Sequence, residues 1–169
     1  MLSERLKVLA ALFPEYEVSN MRPGAKLDEI RRFTESNGPL SSDLISLYSW
    51  HNGSDTDFFP DMPLFGFRFF GLDESIEYQT RYARLGISPF PKSRSQLLGE
   101  ADGSLFFAVV DLDGEQASVY RLFEGEAPML FHSSVSSMVE TAIEVWSTDG
   151  RGKDFDDVRL RHSPGADSF

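Results

Sequence analysis

Cysteine is absent from the 169-residue chain. That excludes a disulfide framework and thiolate metal sites, and nothing points to an oxidising compartment. No stretch approaches the roughly 20 apolar residues that a membrane-spanning helix requires. The opening Met1-Leu2-Ser3-Glu4-Arg5 lacks the basic-then-apolar order of a secretory signal, so the expected location is the cytoplasm. Positive charge is also scarce. Sixteen Lys and Arg stand against 27 Asp and Glu, a net charge of −11. A nucleic acid partner is disfavoured, because such affinity rests on neutralising phosphates with Lys and Arg. A basic protein partner would be attracted and steered.

Catalytic and ligand motifs are missing too. The three histidines, His51, His132 and His162, have no neighbour at metal-ligand spacing, and no H-E-x-x-H occurs. Phosphate cradles of the G-x-x-x-x-G-K or G-x-G-x-x-G kind are absent, as is a G-x-S-x-G elbow. Asp55, Asp57 and Asp61 alternate with Phe58 and Phe59, but they do not follow the spacing of a calcium loop. No catalytic residue, metal or cofactor is therefore expected. Ser133, Ser134, Ser136 and Ser137 read as cap and helix-surface residues rather than nucleophiles.

What the chain does contain is apolar material: 41% hydrophobic residues, including 15 Phe. A chain of this length buries roughly 70% of its unfolded surface, enough for one real core. Leu2, Leu6, Leu9 and Leu12 or Phe13 share one helical face before Pro14. Leu27, Ile30 and Phe33 mark a second helix that Asn37-Gly38 should end. A short helix opens at Ser41 or Ser42 with Leu44, Leu47 and Tyr48 or Trp50 inward, closed by Asn52-Gly53. Gly53 to Gly66 reads as a long ordered loop. Phe67 to Leu72 reads as a strand, and Asp73 as the cap of a helix running to Gly86.

The period then changes. Gln96–Glu100, Ser104–Leu112, Gln116–Phe123 and Met129–His132 read as an antiparallel meander, with Asp102-Gly103 and Asp113-Gly114 as tight turns. The run Leu105 to Val110 is apolar throughout and should be a central strand buried on both faces. Val135, Met138, Val139, Ala142, Ile143 and Trp146 form an amphipathic helix. The fold class implied is α+β: one domain over 1–148, its antiparallel or mixed sheet carrying helices largely on one side. A polar tail, 149–169, follows it.

In this order the chain resembles the SUKH superfamily, which includes the fungal cell-wall-assembly regulator and many bacterial toxin-immunity proteins. Three stretches carry the likeness, spanning roughly residues 27 to 148. The first runs from Pro39-Leu40-Ser41-Ser42-Asp43-Leu44 through Leu47-Tyr48 to Trp50-His51-Asn52-Gly53-Ser54-Asp55. It is similar to the family's helix followed by an Asn-Gly turn, with Leu40, Asp43, Trp50, Asn52 and Gly53 as its structural positions. The second is the strand-into-helix segment Phe67 to Ile76. The third is Phe106 to Trp146. The chain departs from the family pattern where Leu40 is followed by Ser, and in its long C-terminal tail.

The resemblance implies an immunity protein that neutralises a cognate toxin by direct, non-catalytic binding. Its alternative is an intracellular regulatory scaffold of the fungal type. Charge is concentrated where such a partner could meet it: residues 54–77 carry a net −5 and residues 99–127 a net −6, together the whole charge of the chain. The candidate partner-binding residues are Asp55, Asp57, Asp61, Glu100, Asp102, Asp113, Glu124 and Glu126, facing a basic toxin such as a nuclease. A local explanation stands beside this one, since hairpin turns and helix N-termini favour Asp and Glu in any case.

Overall fold

A computed structural model describes residues 1–12, 21–55, 65, 67–85, 90, 94–101, 103, 105–110, 117–147 and 155–166. In chain order these form α1 (Leu2–Leu12), β1 (Met21–Pro23), α2 (Leu27–Asn37), α3 (Ser42–Trp50), β2 (His51–Ser54), β3 (Arg68–Phe69) and α4 (Leu72–Leu85). They continue with β4 (Ser95–Ala101), β5 (Leu105–Val110), β6 (Ser118–Phe123), β7 (Met129–His132), α5 (Val135–Ser147) and α6 (Phe155–His162). The fold is α+β, with a five-stranded antiparallel meander in the order β3-β4-β5-β6-β7 and a separate β1-β2 pair.

The apolar run of β5 behaves as its sequence requires. Successive side chains point to opposite faces of a strand. Phe107 and Val109 therefore enter one core while Phe106, Ala108 and Val110 enter another. The larger core is covered by α1, α2, α3 and α5, through Leu6, Leu9, Phe33, Leu47, Val139 and Ala142 among others. Each fully buried leucine there contributes about 1.5–3 kcal/mol. The second core is smaller and lies under α4, whose Tyr82 packs edge-on against Phe106 at 4.1 Å. The helices thus lie largely on one side of the sheet, with α4 the exception.

Three local assignments differ from expectation. Asn52-Gly53 does not end a helix. α3 stops at Trp50 and the pair lies inside β2, where Gly53 adopts φ +90° against the Gly71 backbone. Asp73 is not the cap of α4, which starts one residue earlier. The Leu72 amide donates instead to Asn52 Oδ1 at 2.9 Å, and the Gly71 amide to Glu74 Oε2 at 3.0 Å. The helix start is supplied by a residue 20 positions upstream. Within the stretch read as a polar tail, Phe155–His162 is helix α6, with Val158 and Arg159 fully buried.

Other signals match. Ser41 caps α3 by accepting from the Leu44 amide at 3.3 Å. Ser134 and Ser137 cap α5 reciprocally, each hydroxyl accepting from the other's amide at 2.9 and 3.0 Å, which satisfies two of the orphan donors of a helix start. Gly103 and Gly125 take positive φ in the β4–β5 and β6–β7 turns. The expected turn Asp113-Gly114 and the loop residues Asp57 and Asp61 lie outside the described residues.

Groups outside the ladder bond to both edges of the sheet. β3 pairs with β4 over only two residues. Beyond them the Leu98 carbonyl accepts from the Phe70 amide (2.9 Å), the Leu97 carbonyl from Ser75 Oγ (2.6 Å) and the Ser95 carbonyl from Gln79 Nε2 (2.7 Å). A register shift between Leu97 and Gly99 turns successive carbonyls outward. On the far edge the Phe131 carbonyl of β7 accepts from Arg159 Nη1 at 2.6 Å, and the amide after the strand, that of Ser133, donates to Ser163 Oγ at 3.2 Å.

Candidate functional site

The β6–β7 hairpin sets a compact acidic-aromatic tip. Gly125 turns the chain at φ +83°, and the Glu126 amide closes back on the Phe123 carbonyl at 3.2 Å. Glu124 and Glu126 on either side of that glycine are exposed, and neither is ion-paired among the described residues. Phe123 ends β6 with 41% of its surface in solvent, beside these two carboxylates. Strand register fixes where the tip sits: Phe123 is opposite Leu105, which is opposite Ala101. The β4–β5 turn therefore lies at the same end of the sheet as Phe123, Glu124 and Glu126.

Glu124 also belongs to the α4 side. Burial raises the Tyr82 phenol to about 12, and the negative charges of Glu124 and Glu100 push it in the same direction against Arg81. The two glutamates thus converge on one corner of the second core. Their situations differ sharply there, because Glu100 is 6% exposed.

Glu100 was expected on the acidic surface, and the structure places it inside. Its Oε1 accepts from Arg68 Nη1 at 2.5 Å, and Arg68 itself is 8% exposed. The other guanidinium nitrogen pairs with Glu74. Glu74 in turn accepts from Arg22 Nη1 at 2.8 Å, and Arg22 Nε lies 3.8 Å from exposed Asp55. Charges alternate along Asp55–Arg22–Glu74–Arg68–Glu100. This chain joins the β1–β2 pair, the start of α4 and the β3–β4 edge, and the Arg68 guanidinium also lies 5.2 Å from the Phe70 ring centroid. A buried carboxylate on a short strand looks like any other acid in a charge count. Only pairing across 32 residues of sequence separates it from a surface group.

Of the candidate acids, Glu124 and Glu126 are brought together and Asp55 stands apart, tethered to Arg22. Asp57, Asp61, Asp102 and Asp113 lie outside the described residues. The family-motif positions serve the fold. Leu40 and Trp50 pack half-buried on the main core, and Asp43 sits in the first turn of α3. There its charge complements the helix N-terminus. His51 Nδ1 contacts the Arg22 carbonyl at 2.8 Å; burial lowers its proton affinity while that contact opposes the shift. Phe123 went unsingled in the sequence, although a Phe before Glu-Gly-Glu at a strand end carries the signal of an exposed aromatic at a turn.

A cleft of about 220 Å³ opens between α2 and the start of α4. Three of its polar residues are engaged in the fold. Glu29 accepts from the Lys26 amide (2.6 Å), Asn37 donates to the Phe33 carbonyl (3.1 Å), and Asn52 caps α4. Among the described residues, no three His, Asp or Glu side chains converge as a metal would need, and no helix is long and apolar enough to cross a membrane. Compared with known proteins, the chain matches no family model and no curated protein.

Proposed function

We propose that this protein is an immunity protein of the SUKH type, binding and neutralising a basic toxin by direct, non-catalytic contact. Two things support the reading: the resemblance carried by residues 27 to 148 and the strongly acidic balance of the chain. The observation that carries it is the β6–β7 tip. Glu124 and Glu126 are exposed and without a cation among the described residues, and they follow Phe123, whose ring is itself partly open to solvent. Exposed carboxylates steer a basic partner and raise its association rate, while a partly exposed aromatic supplies contact area once it is desolvated. The tip is mounted on a five-stranded sheet, so little ordering cost accompanies docking.

The test is capture of the partner with tagged protein from its native cell lysate, followed by binding kinetics with the purified partner. E124K/E126K should slow association about tenfold at low salt, with the difference shrinking as salt rises. F123A should speed dissociation by a similar factor. A single tight, toxic partner indifferent to both changes would keep immunity and sink this surface. Many weak partners would favour the regulatory-scaffold alternative instead.

A further inference from the structure

The seam between β7 and α6 holds a buried polar cluster that the partner-binding reading does not use. His132, at the end of β7, is fully buried. Its Nδ1 lies 3.4 Å from Ser163 Oγ, which donates to Ser137 Oγ at 3.1 Å. Its Nε2 has no hydrogen-bond partner among the described residues. Arg159 is buried beside it with its guanidinium 4.6 Å from the Phe131 ring centroid, and its Nε donates to Asp156 Oδ1 at 2.7 Å. Arg159 and Ser163 also bond to the outer edge of β7.

A neutral imidazole fits this site and an imidazolium does not. A second cation there would be desolvated, left with one unpartnered N–H and placed close to the Arg159 guanidinium. Moving α6 away would relieve all three problems at once, because Arg159 and Ser163 both belong to that C-terminal segment. We propose that α6 is a latch over the β7 edge and that proton uptake by His132 releases it, withdrawing Arg159 and Ser163 from that edge.

The other charged groups at the seam set the window. Glu144 accepts from Arg161 Nη2 and contacts His162 Nε2, both at 2.8 Å. Glu140 pairs with Arg5 at 2.6 Å and lies 3.7 Å from His162 Nδ1. His162 engages Glu144 and Glu140 from the same segment, which makes it the natural control. Protonation of Asp156, Glu140 or Glu144 would loosen the seam for a different reason, so the comparison belongs above the carboxylate range.

Burial, followed by the nearby positive charges, lowers His132 from 6.5 to about 3 in the closed state. The open state binds more protons between those values, so opening becomes easier as pH falls through that interval. With an ordinary histidine in the open form, the opening equilibrium rises roughly tenfold between about pH 7.5 and about pH 5.5.

Hydrogen–deuterium exchange of the full chain at those two pH values, corrected for intrinsic rates, reads this directly. Amides of α6 and of residues 129–133 should lose protection about tenfold while those of β5 hold. H132F should flatten the ratio and H162N should leave it in place. S163A should raise opening at both pH values with the ratio kept. Loss of α6 and β5 protection in a single step would overturn the proposal, as would equal ratios in the native chain and H132F. If H132F fails to fold, the comparison of α6 with β5 in the native chain decides alone.

Discussion

Replacing Glu100 tests whether that carboxylate belongs to the interior or to a partner surface. Its Oε1 lies 2.5 Å from Arg68 Nη1, and both side chains are less than a tenth exposed. Breaking a buried pair by truncating one partner costs about 3–5 kcal/mol, since a desolvated charge is left behind. Arg68 keeps Glu74 in the E100M variant, so the loss should sit near the low end, about 3 kcal/mol. In a chain of this length each kcal/mol corresponds to about 2–4 °C, and E100M should melt about 6–12 °C lower. R68M strands Glu100 and leaves Glu74 with Arg22 and the Gly71 amide alone, and should cost at least as much. The double variant R68M/E100M removes the pair together and should recover much of the loss, because a packed apolar substitute for a buried ion pair is often near neutral. Thermal unfolding followed by circular dichroism, with chemical denaturation to check cooperativity, supplies all four corners of the cycle. Additive losses, or an E100M melting point within about 2 °C of the native chain, would refute the buried-pair assignment and return Glu100 to the surface.

Two further outcomes probe the Asn-Gly pair of β2. Asn52→Ala removes the oxygen that accepts from the Leu72 amide and should cost about 1 kcal/mol in urea unfolding, the usual value of a helix cap; Asn52→Asp, which keeps the acceptor, should restore most of it. Gly53→Ala meets a double obstacle, φ +90° and a Cβ placed 2.8 Å from the Gly71 Cα. A loss of at least about 2 kcal/mol is expected, and a melting point unchanged by the alanine would contradict the close β2–Gly71 approach.

How far the sequence could be read depended on whether a residue's partner was near it in the chain. α1, β5 and α5 were legible because periodicity of burial is written in consecutive residues, and the Ser134 cap because its partners lie three positions away. Asn52-Gly53 was legible as special and misread as to why. Positive φ was anticipated at a helix end, whereas the conformation occurs in a strand and the Asn side chain caps a different helix. Asp73 was misplaced for the same reason, its expected task being done by Asn52 from across the fold. The helix at Phe155–His162 was read as tail because its largest buried side chain is an arginine. Hydropathy counts Arg159 as solvent-seeking, and the Phe131 carbonyl that accepts from it lies 28 residues upstream. For the site, a local charge count gave the acidic segments but could not tell Glu100 from Glu124. The two sit near the same corner, one consumed by Arg68 and the other open.

The closed edges bear on how any partner must approach. A sheet with free edges invites strand addition, in which main-chain hydrogen bonds supply affinity. Here Ser75, Gln79 and the Phe70 amide occupy the outer carbonyls of β4, and Arg159 and Ser163 guard β7. Strand addition would first have to expel a helix and leave buried polar groups unpaired, at about 1–3 kcal/mol for each group stranded. The faces are covered too, by α4 on one side and by α1, α3 and α5 on the other. Among the described residues, one surface presented without such a penalty is the end of the sheet that carries the β6–β7 turn. That is also where Phe123, Glu124 and Glu126 stand exposed. Docking at the tip and strand addition at β7 therefore make opposite demands on α6. A partner that binds at the tip should leave α6 exchange protection as it is in the free protein, and one that adds to β7 should abolish it.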